Sequence, residues 1–168
     1  MFSDDLNRRA EALLALCGRA RLRLATAESC TGGLISACLT GVPGASQVFE
    51  RGFVTYSNES KSDLLGVPPA LLLTHGAVSE SVARAMAEGA LARSRADLAV
   101  AVTGIAGPGG GTDSKPVGLV HLATARRGVE SRHRRIVFPG DRDAVRTATV
   151  ALAMAMVESM MSGTERHP

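Results

Sequence analysis

Residues 97–102, Asp-Leu-Ala-Val-Ala-Val, form an almost unbroken apolar run that opens directly into Thr103-Gly104-Ile105-Ala106-Gly107-Pro108-Gly109-Gly110-Gly111. A strand with one wet face alternates polar and apolar residues, whereas a continuous run belongs to a strand covered on both faces. Such a strand needs a layer of helices above and below it. Around it, strand-like segments at 22–27, 48–56, 117–125 and 136–138 alternate with helical patterns. The reading is an α/β fold, a three-layer α/β/α sandwich on a mostly parallel sheet. The sheet is expected to be mixed, because Arg127-Gly128 falls midway in 117–138 as a hairpin turn would.

The helices carry their own punctuation. Ser3 is placed to cap a first helix, with Asp4 and Asp5 where the helix dipole favours negative charge. Leu6, Ala10, Leu13, Leu14 and Cys17 then share one face, and Gly18 is expected to end the helix. Gly41-Val42-Pro43-Gly44 stops a second helix. Ser57 or Asn58 starts a short one, Pro68-Pro69 starts another, Ser79 caps a fifth and Asp141 caps the last. No repeat or linker divides the chain, so one domain spanning 1–168 is expected, with 164–168 as a frayed tail.

Composition narrows the function classes. The chain has 168 residues with four Phe, one Tyr and no Trp, so Ala, Leu, Val and Met must build its core. A net charge of +3 does not require nucleic acid, and the scarcity of aromatics argues against single-strand binding. Arg126, Arg127, Arg132, Arg134 and Arg135 read as a solvated strand edge or loop. Cys17, Cys30 and Cys38 show no paired spacing, which fits a reducing compartment and gives no zinc motif. The N-terminus lacks signal-peptide character, and no uninterrupted apolar run reaches the roughly 18 residues of a membrane helix. The expectation is a cytoplasmic protein with no membrane or nucleic-acid partner.

Two glycine-rich turns each follow a predicted strand, and open α/β sheets bind ligands beyond the carboxyl ends of their strands. The first is Ala27-Glu28-Ser29-Cys30-Thr31-Gly32-Gly33. Ser29 there is either a nucleophile beside free backbone N–H groups, or, with Thr31, a cap for the next helix. Cys30 is a rival nucleophile or a buried filler, as Cys38 is. The second turn, Thr103 to Gly111, lets backbone N–H groups approach a ligand or is simply a flexible loop; it matches neither a phosphate-binding P-loop nor a dinucleotide fingerprint. A serine nucleophile needs a base. None of His75, His121, His133 and His167 forms an obvious triad; only His75, which opens a loop with Gly76-Ala77-Val78, is kept as a weak candidate, and His121 reads as a packed or edge strand residue. The chain has two lysines against seventeen arginines. One of them, Lys61, follows Tyr56 and Asn58 at a spacing that turns all three toward one pocket, although a lone helical lysine is ordinarily solvated. Arg142 and Arg146 share one face at a helix start, as an anion clamp or as surface ion pairs with Asp141 and Asp143.

Read together, residues 27–33, Tyr56-Ser57-Asn58-Glu59-Ser60-Lys61, His75-Gly76-Ala77-Val78-Ser79 and residues 103–110 resemble the CinA C-terminal domain family, whose enzymatic members are nicotinamide-nucleotide amidohydrolases. The resemblance runs from about Leu6 to Met161 and lacks the extra N-terminal domain of longer members. It implies the α/β/α fold and conversion of nicotinamide mononucleotide (NMN) to nicotinate mononucleotide and ammonia, in pyridine-nucleotide salvage, with no cofactor or metal. By motif position it implies Ser29 as nucleophile, Lys61 as general base, and Tyr56 assisting proton transfer or holding Lys61. Arg142 would bind phosphate or stabilise charge, with Arg146 a weaker candidate. Cys30, Thr31, Gly32, Gly33, Asn58, Thr103, Gly104, Ala106, Gly107, Gly109 and Gly110 would hold the carbonyl and the nucleotide. Two alternatives stand beside it: a pyridine-nucleotide-binding module without turnover, and a metal-dependent pyrophosphatase, for which no carboxylate cluster is evident. A homo-oligomer, as a dimer, is the expected assembly.

Overall fold

A computed structural model describes residues 2–162; the expected tail at 164–168 lies outside the described residues. Helix α1 spans Asp4–Ala20, β1 Leu24–Glu28, α2 Leu34–Thr40, β2 Phe49–Val54, α3 Asn58–Leu65, α4 Pro69–His75, α5 Glu80–Ala92, β3 Leu98–Gly104, β4 Leu119–Arg126, β5 Val129–Val137 and α6 Arg142–Ser162. The strands form one sheet in the order β2-β1-β3-β4-β5. β1 runs parallel to β2 and to β3, while β3 with β4 and β4 with β5 are antiparallel. Four of the five strands therefore point one way and β4 opposes them, the mixed sheet that the hairpin requires.

The two faces of the sheet are built from different residues. Leu24, Leu98, Val100, Val102, Val120 and Leu122 pack under α1, α2 and α6. Ala25, Ala27, Ala99, Ala101, Ala123 and Ala125 face α5 and the end of α3. Large side chains fill one interlayer space, and alanines let α5 lie close on the other. The same close packing continues between helices: a Cβ added at Gly89 of α5 would stand 2.0 Å from the Leu65 carbonyl oxygen of α3.

Three boundaries differ from the sequence reading. Gly18 does not end α1; Arg21 does, in a left-handed conformation (φ 56°), its N–H donating to the Cys17 and Gly18 carbonyls. His75 closes α4 instead of opening a loop. β5 begins seven residues before Ile136, because Glu130 to Arg135 are half-buried or exposed on an edge strand, where charge discourages further strand pairing. Helix α6, at 21 residues, is long and apolar enough by composition to cross a bilayer. Here Val145, Val150, Ala153, Met154, Val157 and Met160 bury its apolar side in the core.

Candidate active site

The site stands at the carboxyl ends of β1 and β3, the switch point where the chain leaves β1 for one side of the sheet and returns as β3 on the other. A cavity of about 230 Å³ opens there, lined by Ser29, Cys30, Tyr56, Asn58, Lys61, Ala77, Val78, Thr103, Gly104, Ala106 and Arg142. A larger groove of about 670 Å³ lies between α5 and the β4–β5 turn, against Arg84, Glu88 and Arg127. Its Ser131 hydroxyl donates to Glu88 at 2.7 Å, an exposed pair open to water, whereas the smaller cavity sets a serine beside a buried amine and is the better place for covalent chemistry.

Ser29 is held as if it were one more strand residue. Its N–H donates to the Val102 carbonyl at 3.0 Å, and its side chain is nearly buried. The chain then turns sharply through Gly32 (φ 59°) and Gly33 (φ 97°), backbone that side-chain-bearing residues rarely adopt. α3 approaches from beyond β2, its N-terminus capped by the Ser57 hydroxyl, and turns Lys61 and Leu65 inward. Lys61 is 1% exposed. Its Nζ lies 3.2 Å from Ser29 Oγ, 2.8 Å from the Thr55 carbonyl and 3.4 Å from the Ser57 carbonyl. No carboxylate pairs with it among the described residues.

These contacts suit both protonation states of the amine. A neutral –NH2 has two donors, for the two carbonyls, and one lone pair, for the serine hydroxyl. A protonated amine donates to all three. The proton can therefore move between Oγ and Nζ without rearrangement. Burial pushes the Lys61 amine below its ordinary 10.5, opposed by the nearby Cys30 and Glu59. Burial pushes the Cys30 thiol up to about 11, so it stays a thiol at neutral pH and is a poor rival nucleophile.

The sequence-level candidates divide. Ser29, Cys30, Tyr56, Asn58, Lys61, Thr103, Gly104, Ala106 and Arg142 meet at the cavity. The side chain of Thr31 and the residues Gly32, Gly33, Gly107, Gly109 and Gly110 do not line it. Gly107 contributes indirectly, its carbonyl accepting from Arg142 Nη1 at 2.9 Å. Tyr56 is exposed and its hydroxyl accepts from Arg142 Nη2 at 3.2 Å; the carbonyls flanking it in sequence, not its phenol, hold Lys61. His75 is outside the cavity lining, and its carbonyl accepts from Lys115 Nζ at 2.6 Å. Arg146 donates to the Thr31 carbonyl at 3.0 Å and also stands 3.8 Å from Asp143. Neither Ser29 nor Thr31 caps α2; the buried Glu28 does, a role that no short-range motif announces.

A family model described as the CinA C-terminal domain matches residues 6–161. The chain belongs to that family. A putative competence-damage inducible protein of Symbiobacterium thermophilum is 50% identical over 171 residues, an alignment covering 97% of this chain and 40% of the relative. A CinA-like protein of Geobacter sp. strain M21 is 50% identical over 168 residues, covering 100% of this chain and 40% of the relative. The chain thus spans about two fifths of the length of these curated relatives. Among solved structures, the competence/damage inducible protein CihA from Agrobacterium tumefaciens superposes with a TM-score of 0.94 at 49% identity, covering 96% of this chain and 98% of that one. A CinA superfamily protein from Escherichia coli gives 0.89 at 34% identity, covering 95% and 94%.

Proposed function

We propose that this CinA-family chain is a metal-independent serine amidohydrolase acting on the carboxamide of NMN, in pyridine-nucleotide salvage. The observation that carries the reading is the buried Lys61 amine, 3.2 Å from Ser29 Oγ in a cavity at the strand ends. Ser29 Oγ attacks the amide carbon while its proton passes to Lys61 Nζ. The carbonyl becomes an oxyanion facing the Cys30 and Thr31 N–H groups. The C–N bond then breaks, and Lys61 returns the proton to the leaving nitrogen, releasing ammonia. Water attacks the resulting ester with Lys61 again as base, which frees the nicotinate product and restores the serine.

Arg142 reaches the cavity from the start of α6 and presents a guanidinium suited to a phosphate. Its present partners, the Gly107 carbonyl and the Tyr56 hydroxyl, are neutral and can yield to a charged group. The test is ammonia release from NMN by the purified protein, with and without EDTA, beside Ser29→Ala. Release that survives EDTA and disappears in the folded variant supports the reading. Binding of NMN without release replaces it with a non-catalytic nucleotide-binding module, and release that EDTA abolishes removes the metal-free mechanism.

A further inference from the structure

Glu28 is fully buried directly before the nucleophile, and no cation pairs with it among the described residues. Five donors surround its carboxylate instead. Oε2 accepts from Thr31 Oγ1 at 2.7 Å, Gly33 N at 3.1 Å and Ile35 N at 3.0 Å. Oε1 accepts from Ser36 N at 2.8 Å and Ser36 Oγ at 2.7 Å. Since the Ser36 hydroxyl gives its proton to Glu28, the Thr26 hydroxyl, 2.7 Å away, must donate to Ser36. Gly52 on β2 keeps room for this pair, because a Cβ there would come within 2.5 Å of Ser36 Oγ. The start of α2 is therefore already filled by the protein's own carboxylate, and no substrate group is needed there.

Arg146 holds the same turn from the opposite side. It crosses from α6 to donate to the Thr31 carbonyl at 3.0 Å. Thr31 is thus fixed at its hydroxyl by Glu28 and at its carbonyl by Arg146. The backbone donors of the turn can be accounted for one by one. Ser29 N–H goes to the Val102 carbonyl, Gly32 N–H to the Ser29 carbonyl, and Gly33 N–H to Glu28. The N–H groups of Cys30 and Thr31 remain, and both lie beside the Cys30 sulfur in the cavity wall.

We infer that Glu28 and Arg146 are positioning residues that clamp Thr31 from both sides, so that the Cys30 and Thr31 N–H groups form a rigid oxyanion hole. The inference rests on the serine-amidase reading. It moves Arg146 from a candidate phosphate ligand to the scaffold of the nucleophile turn.

The test joins steady-state kinetics on NMN to titration with 3-pyridineboronic acid. This acid adds to a serine oxygen, whose proton passes to the base, and forms a tetrahedral boronate anion that needs the same hole. Thr31→Val, Arg146→Met and Glu28→Gln are each expected to lower kcat about tenfold or more, while KM stays within about threefold. Boronate affinity should fall in step with kcat, and NMN affinity in a Ser29→Ala background should not. Thr31→Val combined with Arg146→Met should lose less than the product of the single losses, because both act on one residue. If Glu28→Gln fails to fold, the other two variants carry the test. Folded variants with unchanged kcat and boronate affinity overturn the clamp. So does an Arg146→Met defect confined to KM, the mark of a phosphate ligand. Wild-type protein that neither hydrolyses NMN nor binds the boronate overturns the serine-amidase reading and the clamp with it; active wild type with unimpaired variants overturns the clamp alone.

Discussion

Lys61 is the side chain whose placement is most at odds with its ordinary chemistry. An amine favours its charged form in water, and burial takes away the solvation that makes it so. The folded protein therefore favours the neutral amine at a lower pH than the unfolded chain does. Two consequences follow in the same direction. Because its folded pKa lies below 10.5, kcat/KM should climb with pH along an acid limb that reports the deprotonation of Lys61, in a range below that of a free lysine. Stability should likewise decline as pH falls from 10.5 toward that folded pKa, because the unfolded chain takes up the proton first. Lys61→Ala is expected to lower kcat by about 10²–10⁴ with a small change in KM; an unchanged kcat would end its role as base. Lys61→Met should be inactive yet melt at a higher temperature than wild type near neutral pH, since it removes a buried amine without emptying the space. A lower melting temperature would show that the contacts to Thr55 and Ser57 outweigh the desolvation they offset.

At the scale of elements, α3 carries Lys61 and α5 fixes where α3 lies. Gly89→Ala, outside the cavity, would drive its methyl group into the Leu65 carbonyl. The expected cost is about 1–3 kcal/mol, read as a lower melting temperature, with a fall in kcat because Lys61 shares α3 with Leu65. On the other side of α5, His121 Nδ1 lies 2.9 Å from His133 Nε2, and His133 Nδ1 stands 3.4 Å from the Glu80 carboxylate. Burial, followed by the repulsion of His133, Arg135 and Lys115, holds His121 down to about 4, with Glu80 opposing. The unfolded chain takes up this proton near the ordinary value of 6.5, so stability should decline as pH falls from about 6.5 toward 4. His121→Leu should flatten that decline in acid-unfolding curves, and an unaltered slope would place the acid sensitivity elsewhere. Such elements differ in how openly the sequence declares them. β3 and α5 are legible because burial on both faces, or on one helical stripe, writes a period into consecutive residues. Most of β5 is not, since an edge strand rich in arginine carries no apolar alternation. The burial of Lys61 is equally silent: α3 is eight residues long and turns inward only Lys61 and Leu65. Glu28 reads as one more turn residue until the chain folds back and brings Ile35 and Ser36 to its carboxylate.

Across the whole molecule, the site depends on segments far apart in the chain. Ser29 follows β1, Lys61 lies on α3, Thr103 ends β3 and Arg142 begins α6. Arg142 and Tyr56 meet across 86 residues of sequence. Arg142→Ala should therefore raise KM for NMN far more than for the phosphate-free nicotinamide riboside; equal effects on both would remove the phosphate from its role. The order of strands also sets a timetable. β4 and β5 are neighbours joined by a tight turn, whereas β1 meets β3 across a separation such as the 74 residues between Arg23 and Asp97. Closing a long loop costs more chain entropy before any contact rewards it. The hairpin is therefore positioned to form early, and the β1–β3 seam, which sets Ser29 against Thr103, to close late. In refolding from denaturant, ellipticity should return ahead of the capacity to release ammonia from NMN, with a lag absent from the hairpin half of the sheet. For a chain of this topology, the completed cavity should be the last thing acquired on folding and so the first lost when the seam opens.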